Sequence, residues 1–484
     1  MSHLARVAIA VALTAGLAAC GGGSPAPGGG FLASGPTAQV TVTTGDQSLL
    51  LATRPTVSFG TGGDRGTQVI SVDEALRYQP LDGIGASLTD SAAWVIANDL
   101  DAGQRDALMQ ELFDATTGIG LSLLRQPMGA SDFAVNGNYS YDDVLAGQSD
   151  PQLAAFSIAH DEAYIIPLLQ QALTINPALK LMAVPWSPPA WMKSSGTMNG
   201  GGIDPTYLPS LAQYFVRFLQ AYQQDGLSVY AVAMQNEPLN STTAYPSASV
   251  PVDVEAGFIA SNLGPALVNA GLGAVKILGY EHNWDNTAYP ESLLASAAGP
   301  YLAGTAFHCY GGDVSAQLAV HDAYPDKDIW FTECSGTVGS NFAGDLVWTA
   351  DHLLIGAMRN WARSVSMWNL ALDQNSGPTN GGCMACRGVV TVDATTVPAT
   401  ITRNVEYYAL GQLAKFALPG AVRIDTNSYT GGGVEDVAFQ NPDGSIALLV
   451  LNPATTAQSF SVAWQGKYFS FTLPAQSVAT FMWH

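Results

Sequence analysis

The chain has 484 residues, of which 48% are hydrophobic and only 12% charged, so it is long enough to bury a large core in one large domain plus a smaller one. Its formal net charge is −21, and a surface this acidic repels phosphate backbones and anionic lipid headgroups. The composition disfavours nucleic acid as a partner and favours a neutral substrate, and the body of the chain contains no apolar run long enough to predict a membrane span.

The N-terminus has the pattern of a targeting segment. Arg6 precedes a short apolar run, VAIAVALTAGLAA, and small residues come directly before Cys20. "LAAC" resembles the lipobox of bacterial lipoproteins, so residues 1–20 are predicted to be a lipoprotein-type signal peptide with Cys20 as the lipidation site. An ordinary cleaved signal peptide is the alternative. Either predicts export, to the bacterial cell surface or into the medium, with membrane attachment only through an N-terminal lipid anchor. The Gly-, Pro- and Ser-rich residues 21–36 are predicted to be a flexible tether.

The next segment and the last one alternate apolar and polar residues with turn residues between them. Residues 37–78 and 416–484 show this period-two pattern, for example in VEDVAFQNPDGSIALLVLNP. The pattern predicts antiparallel strands, and we expect both ends of the chain to contribute to one β-sandwich.

Residues 79–415 alternate short β-rich runs with helix-like segments, such as residues 206–226, whose apolar positions recur every three to four residues. Eight candidate strands are found at 83–87, 121–129, 179–187, 229–237, 274–282, 304–310, 328–334 and 364–372. Eight βα units predict an α/β fold, the (β/α)8 TIM barrel. A doubly wound open sheet is the alternative, but no dinucleotide-binding glycine fingerprint follows the first strand.

Chemically useful side chains follow every predicted strand. In chain order they are Asp90; Arg125, Ser131 and Asp132; Trp186; Asn236 and Glu237; Glu281, His282 and Trp284; His308 and Tyr310; Glu333; and Trp368 and Asn369. The carboxyl ends of barrel strands form the active face, so these groups are expected to converge.

Two of these carboxylates, Glu237 and Glu333, come from strands on opposite sides of the barrel. A pair of carboxyl groups is what glycoside hydrolysis needs, because one protonates the leaving oxygen while the other attacks or activates water. The alternative is structural, with each glutamate paired to a buried arginine such as Arg125. Trp186, Trp191, Trp284, Tyr310 and Trp368 also fall at or just past strand ends, where aromatic faces would stack on sugar rings, although packing alone would also explain any one of them.

The four remaining cysteines are Cys309, Cys334, Cys383 and Cys386. Export permits disulfides, and "GGCMACRG" brings Cys383 and Cys386 close enough for a local bridge. A metal half-site is the alternative, but it lacks a second half at suitable spacing. We expect a loop disulfide or free thiols, and no metal or other cofactor.

The ordered motifs GIGASLTDSAAW, LLRQPMGASDF, AVPWSPPAWMKSSG, AVAMQNEP, FHCYGG, IWFTECSG and WNLALDQNSGP resemble those of glycoside hydrolase family 30, the glucosylceramidase-like family. The resemblance covers about residues 80–390. It implies a retaining β-glycosidase with Glu237 as general acid/base and Glu333 as nucleophile. It further implies that six residues line the subsite for the cleaved sugar: Asp90, Trp186, Asn236, His308, Tyr310 and Trp368.

Retention requires the two carboxyl groups to be only about 5–5.5 Å apart. We therefore expect this short separation, with the pKa of Glu237 raised and Glu333 kept ionised by Arg125. Asn236, beside the acid/base, is expected to hydrogen-bond the sugar 2-hydroxyl.

The loop TNGGCMACRGVVTVD departs from the animal glucosylceramidases and lies on the leaving-group side, which argues against ceramide there. The expected substrate is thus a β-linked oligo- or polysaccharide or a glycolipid, as for a glucosylceramidase or β-1,6-glucanase. A cell-surface carbohydrate-binding protein without turnover is the alternative, disfavoured because both glutamates are present. An esterase or peptidase is disfavoured because G-x-S-x-G and H-E-x-x-H motifs are absent.

Overall fold

The computed structural model describes residues 35–61, 66–429 and 432–484. The predicted signal peptide, its lipidation site Cys20 and nearly all of the predicted tether lie outside these residues. None of the helices in the described residues is both long and apolar enough to cross a membrane.

The described chain begins with three strands of an antiparallel layer, β1 (Thr37–Thr44), β2 (Ala52–Ser58) and β3 (Val69–Pro80). β1 pairs with β2 on one side. Alternate residues of β1 and β3 turn apolar side chains such as Val40 and Ile70 inward, as the period-two pattern predicts.

A parallel barrel follows. Its strands are β4 (Gly83–Ser87), β5 (Leu123–Pro127), β6 (Lys180–Val184), β7 (Val229–Ala233), β8 (Lys276–Trp284), β9 (Leu302–Gly312), β10 (Asp328–Glu333) and, after the short β11 (Gly336–Thr337), β12 (Ser364–Asn369). The eight long strands form one sheet in the order β10-β9-β8-β7-β6-β5-β4-β12. Backbone hydrogen bonds from Arg363 to Ile329 and from Trp368 to Cys334 join β12 to β10 and close the barrel.

The barrel interior is filled by side chains from alternating strand positions, among them Leu123, Met182, Leu278 and Trp330. Strand contact is closest at Gly85, where a Cβ would lie 1.7 Å from the carbonyl oxygen of Leu123. Only glycine fits there, which accounts for the glycines of β4.

The helices that surround the barrel are α1 (Asp90–Trp94), α2 (Ala102–Phe113), α3 (Ala159–Glu162), α4 (Ile165–Ile175), α5 (Leu208–Gln224), α6 (Val252–Phe258), α7 (Gly264–Asn269), α8 (Ala288–Ala295), α9 (Ser315–Ala323), α10 (Phe342–Trp348) and α11 (Val405–Ala414). π-helical turns extend α1, α6 and α10 at Val95–Asp99, Ile259–Leu263 and Thr349–Ala357, and 3-10 turns occur at Ala190–Met192 and Pro205–Tyr207. In α5 the predicted apolar stripe is buried, including Leu211, Phe215 and Tyr222.

After the barrel, β13 (Ala371–Asp373), β14 (Cys386–Arg387), β15 (Val390–Asp393) and β16 (Thr400–Arg403) form two small sheets. The chain then returns to the first layer with β17 (Val422–Thr426), β18 (Glu435–Gln440), β19 (Ile446–Asn452), β20 (Gln458–Trp464), β21 (Lys467–Leu473) and β22 (Ser477–Trp483). The strand order there is β2-β1-β22-β19-β18-β17-β3-β20-β21, so both chain ends build it. The predicted fold, a TIM barrel with a sandwich from both chain ends, is confirmed.

All eight predicted strands coincide with barrel strands, but several end earlier than predicted, the fourth by the most. β7 stops at Ala233, so Asn236 and Glu237 lie in the loop that follows it. β8 instead continues to Trp284 and carries Glu281 inside the strand.

Candidate active site

A cavity of about 820 Å³ opens at the carboxyl ends of the barrel strands. Carboxyl, amide, hydroxyl and aromatic side chains form its walls, together with the loop that carries two cysteines. The lining residues are Asp132, Trp186, Asn236, Glu237, Leu239, Asn240, Tyr245, His282, Asn283, Tyr310, Glu333, Ser335, Gly336, Thr337, Trp368, Gly381, Gly382, Cys383 and Cys386. Such a wall suits a neutral, hydroxyl-rich ligand.

Glu237 lies in the loop after β7 with a left-handed backbone, φ 47°. For a residue with a side chain this conformation costs of order 1–3 kcal/mol and persists only where neighbours fix it. The backbone N–H of Glu237 donates to the carbonyl oxygen of Glu281 over 3.0 Å, and the Asn240 amide donates to the Glu237 carboxylate over 2.7 Å. The strained loop thereby holds the carboxylate at the cavity wall.

Glu333 is the last residue of β10 and is 5% exposed. Its carboxylate accepts a hydrogen bond from Arg125 Nη1 over 2.6 Å and another from the Tyr310 hydroxyl over 2.9 Å. One carboxylate oxygen of Glu333, one of Glu237 and one ring nitrogen of His308 all lie within 4.8 Å of one another. The two carboxylates therefore face each other with room for a single carbon atom between their oxygens.

Arg125 is fully buried beneath the cavity and connects several of its groups. Besides Glu333 it donates to Asn236 Oδ1 over 2.6 Å. Its guanidinium lies 4.9 Å from the ring centre of Trp186 and 5.7 Å from that of Trp368, and these two indoles stack on each other at 4.8 Å. Arg125 fixes Glu333 and Asn236, whereas Glu237 has no ion pair with it, so the purely structural alternative does not explain both glutamates.

His308, in β9, is completely buried between two carboxylates. Its Nδ1 lies 3.2 Å from Glu237 Oε1 and its Nε2 lies 2.9 Å from Glu281 Oε2. Burial alone would lower the pKa of His308, but the charge of Glu333 and the hydrogen bonds to Glu237 and Glu281 raise it to about 9. The ring is therefore a cation at neutral pH, with both nitrogens donating.

This cation reverses the expected protonation of the free site. Burial raises the pKa of Glu237, yet the hydrogen bond and charge of His308 outweigh it and lower that pKa to about 2. Burial raises the pKa of Glu333 above its ordinary value, although the charges of His308 and Arg125 oppose this shift. We expected the higher pKa at Glu237; the histidine beside it is the reason for the difference, and in the ligand-free site the proton is on His308.

Both parts of the chain match known family models. Residues 81–417 match the glycosyl hydrolase family 30 TIM-barrel domain, and residues 420–481 match the family 30 β-sandwich domain. The chain belongs to glycosyl hydrolase family 30. This family 30 protein is therefore a glycoside hydrolase.

Curated relatives and solved structures agree. The family 30 chain is 36% identical to an endo-1,6-β-D-glucanase of Neurospora crassa, covering 86% of this chain and 88% of the relative. It is 28% identical to the lysosomal acid glucosylceramidase of Mus musculus, covering 86% of this chain and 83% of the relative. The solved structure of the endo-β1,6-glucanase BT3312 is 32% identical, with a TM-score of 0.85, and covers 92% of this chain and 99% of that one.

The structure brings most of the predicted site residues of this family 30 hydrolase together. Trp186, Asn236, Glu237, Tyr310, Glu333 and Trp368 all line the cavity. His308 and Arg125 lie directly behind that wall, bonded to the two glutamates. Trp191 and Trp284 do not reach the cavity: their indole N–H groups are bonded to Asp142 and Gln317, and both rings are buried.

Asp90 is not brought to the cavity. Thr89 caps α1, so Asp90 lies in the first turn of a helix that leads away from the strand end. Its carboxylate accepts from the backbone N–H of Val135 over 2.8 Å, from His160 at 3.0 Å and from the hydroxyl of Tyr164. With these partners and a side chain only 2% exposed, Asp90 anchors the neighbouring segments and does not line the cavity.

Asp132, which follows the next strand, lies at the cavity wall where Asp90 was expected. It lines the cavity, and its Oδ1 is buried without a hydrogen-bond partner. Burial and the charges of Glu333 and Glu237 hold the pKa of Asp132 well above its ordinary value. A buried carboxyl oxygen without a partner, beside the two glutamates and facing open space, is free to accept a hydrogen bond from a ligand. Its position after β5 in the motif LLRQPMGASDF was the signal for it in the sequence.

The cysteines form two disulfides, Cys309–Cys334 and Cys383–Cys386. The first joins the ends of neighbouring strands β9 and β10, and the second closes the loop at the cavity wall, with its sulfurs unavailable as thiolate ligands. Within the described part of the chain, only Glu237, His308 and Glu333 are placed closely enough to share a cation. These are the two cavity glutamates and the histidine between them, and the raised pKa of His308 favours a proton at that position over a metal ion.

Proposed function

We propose that this family 30 hydrolase is a retaining β-glycosidase, with Glu333 as nucleophile and Glu237 as general acid/base. The observation that supports retention is the carboxylate spacing, with oxygens of the two glutamates within 4.8 Å of each other. Inverting enzymes need roughly 6.5–9.5 Å between the carboxyl groups to hold a water molecule, whereas retaining enzymes use about 5–5.5 Å.

In the first step an oxygen of Glu333 attacks the anomeric carbon while the glycosidic oxygen leaves with a proton from Glu237. In the second, water attacks the glycosyl–Glu333 ester, gives its proton to Glu237 and releases Glu333. Arg125 and Tyr310 orient Glu333 and favour its ionised form against the effect of burial. Because His308 carries the proton in the free enzyme, 3.2 Å from Glu237 Oε1, we infer that His308 supplies the proton that Glu237 passes to the leaving oxygen.

Asn236, Trp186, Trp368 and Asp132 suit the role of holding the cleaved sugar. Asn236 Oδ1 is fixed by Arg125, which leaves its amide nitrogen for the 2-hydroxyl, a contact that strengthens in the transition state. The stacked indoles offer an apolar face to a sugar ring without adding charge.

We propose β-1,6-glucan as the substrate. The wall beyond the two glutamates is mainly amide, hydroxyl and glycine, including Asn283, Thr337 and Gly381, and the more similar curated relatives are endo-1,6-β-D-glucanases. Glucosylceramide is the second candidate, because exposed apolar side chains lie at Leu239, at the cavity wall, and in nearby loops at Val338 and Met384.

The decisive experiment follows the anomeric proton signals during hydrolysis of a β-1,6-glucan oligosaccharide by NMR. Retention predicts that β-anomer appears first and then mutarotates; an α-anomer as first product would refute it. Glu333→Gln should lower kcat by about 10⁴-fold or more while the protein stays folded. Parallel assays with glucosylceramide and with β-1,6-glucan distinguish the two substrates.

We also propose export with lipidation at Cys20. The charge, apolar run and LAAC sequence support it, and two disulfides fit an oxidising compartment. In a bacterial host the full chain should appear in the membrane fraction with a diacylglycerol-modified N-terminus by mass spectrometry. Cys20→Ser should abolish the modification; an unmodified N-terminus on the wild-type chain would refute lipidation.

A further inference from the structure

One buried carboxylate contacts the hydrogen-bond partners of both glutamates, Arg125 and His308, without lining the cavity. Glu281 lies in β8 and is 2% exposed, behind the cavity wall. A carboxylate this deeply buried is costly unless it is paired, and Glu281 is not among the residues that line the cavity.

A single oxygen of Glu281 accepts three hydrogen bonds. Arg125 Nη2 donates to Oε2 over 3.0 Å, His308 Nε2 over 2.9 Å and the Thr332 hydroxyl over 2.9 Å. Arg125 also donates to Glu333, and His308 also donates to Glu237. This oxygen is therefore one side chain away from each catalytic carboxylate.

The backbone at Glu281 is shaped to place it there. Tyr280 and Glu281 both have left-handed φ angles, 74° and 50°, and the pairing of β8 with β9 shifts register between Tyr280 and His282. Irregularities of this kind re-aim a side chain and persist where the surroundings fix them. The same turn presents the carbonyl oxygen of Glu281 to the backbone N–H of Glu237.

We propose that Glu281 is a positioning residue, the shared counter-ion that keeps His308 protonated beside Glu237 while Arg125 is directed to Glu333. This inference rests on the proposed retaining function. The cluster pairs two cations, Arg125 and His308, with three carboxylates; His282, Tyr310 and Asp132 are the other titratable groups facing it.

Without the charge of Glu281, Arg125 Nη2 and His308 Nε2 would face each other with no anion between them. Arginine does not lose its proton in proteins, so His308 would lose its own. Glu237 would then have no adjacent proton donor, and departure of a poor leaving group would suffer most. A leaving group of low pKa needs no acid and would be affected little.

The test compares Glu281→Gln with wild type on a β-1,6-linked glucose disaccharide and on 2,4-dinitrophenyl β-glucoside. We expect kcat to fall about 100-fold or more on the disaccharide and less than about 10-fold on the activated glucoside. The alkaline limb of kcat/KM should move to lower pH by about one unit or more, because an anion has been removed. Glu281→Asp keeps the charge with a shorter reach, so it should lose rate while its alkaline limb stays in place.

Glu406→Gln is the matched control, because Glu406 is also 2% exposed and paired with an arginine, Arg387, outside the cluster. It should leave both the substrate ratio and the pH limb unchanged. Should Glu281→Gln not fold, Thr332→Val removes one donor to the same oxygen and should show the same selective loss more weakly.

An equal loss on both substrates with an unmoved alkaline limb would overturn the positioning role. Absence of turnover by the wild-type enzyme on any β-glycoside would instead overturn the proposed function itself.

Discussion

At the amino-terminal end of the barrel strands, Asp82 is buried directly before β4 with 1% of its surface exposed. Its two oxygens accept from Lys180 over 2.5 Å, from Tyr230 over 2.7 Å, from Trp330 over 2.8 Å and from Arg363 at two nitrogens over 3.1 Å. Burial opposes its ionisation, but the charges of Arg363 and Lys180 hold the pKa of Asp82 below its ordinary value.

At the carboxyl end, Glu333 is buried almost as deeply and also contacts an arginine, but its surroundings are incomplete. It faces a cavity, and burial raises its pKa. Asp132 beside it has an oxygen with no partner. The two ends use the same residue types. At the amino-terminal end both oxygens of Asp82 have hydrogen-bond partners, whereas at the carboxyl end an oxygen of Asp132 has none and can accept a hydrogen bond from a ligand. Buried charge by itself therefore does not mark a functional site; an unfilled hydrogen-bonding group next to open space does.

Neutralising Asp82 should give the largest effect on folding. Asp82→Asn leaves Arg363 and Lys180 without their buried counter-ion, so we expect a loss of about 3–5 kcal/mol in the free energy of unfolding with kcat of the folded enzyme nearly unchanged. Urea unfolding and aryl β-glucoside turnover measure the two quantities. Asp328→Asn is the control: Asp328 contacts the same Arg363 but its side chain is 33% exposed, so its loss should stay below about 1 kcal/mol. A slow but fully stable Asp82→Asn would contradict the distinction between the two ends.

The active end should make stability depend on pH. The pKa of His308 is raised to about 9 in the folded chain from 6.5, so its contribution is complete below pH 6.5 and is lost as the pH rises through 9. The full shift corresponds to about 3 kcal/mol. Comparing unfolding at pH 6 and pH 9 should show a smaller decline for His308→Gln than for wild type. His321→Gln, at a histidine stacked on Trp361 away from the cavity, should retain the wild-type decline; identical declines in all three proteins would exclude His308 as the source.

Asp132→Asn should separate function from folding in the opposite direction to Asp82→Asn. The variant keeps the size of the side chain but replaces a carboxyl oxygen that has no partner in the free enzyme. We expect kcat/KM to fall about 10- to 100-fold through lost hydrogen bonding to substrate, equal to about 1.5–3 kcal/mol, without loss of stability. Asp90→Asn is the comparison, because it disturbs bonds to His160 and Val135 and should instead lower stability. Normal kinetics of Asp132→Asn would remove this residue from the site.

Sequence periodicity was sufficient for the barrel, since each of the eight apolar runs became a strand and Glu333 stands at the end of its own. It could not distinguish Asp90 from Asp132, because both follow a strand within a few residues and only the Thr89 cap turns Asp90 away. The role of Glu281 was hidden as well, since nothing in YEHNW indicates consecutive left-handed residues within a strand.

The Cys309–Cys334 disulfide, in contrast, could have been predicted from the strand register. Cys309 and Cys334 directly follow His308 and Glu333, which are paired residues of neighbouring parallel strands, so equal offsets placed the two sulfurs side by side. The Asp82 cluster, by contrast, draws on four strand beginnings spread over 281 residues. No local sequence pattern predicts that the carboxylate before β4 will be covered by Tyr230, Trp330 and Arg363, because these partners are distant in the chain.

The smallest expected effect concerns the rim of the active end. The Cys383–Cys386 bridge closes a loop of only a few residues, so its removal by a Cys383→Ser/Cys386→Ser pair should cost less than about 2 kcal/mol. Breaking Cys309–Cys334, which spans 25 residues, should cost about 3.5 kcal/mol in the same chain-entropy account. Since Cys383, Gly381 and Gly382 form the cavity wall, the first variant should lose activity on β-1,6-glucan more than on an aryl β-glucoside. If the variant lost the same fraction of activity on both substrates, the loop would not contact the leaving group. Ligand contacts at this end of the barrel would then be confined to the subsite of the cleaved sugar.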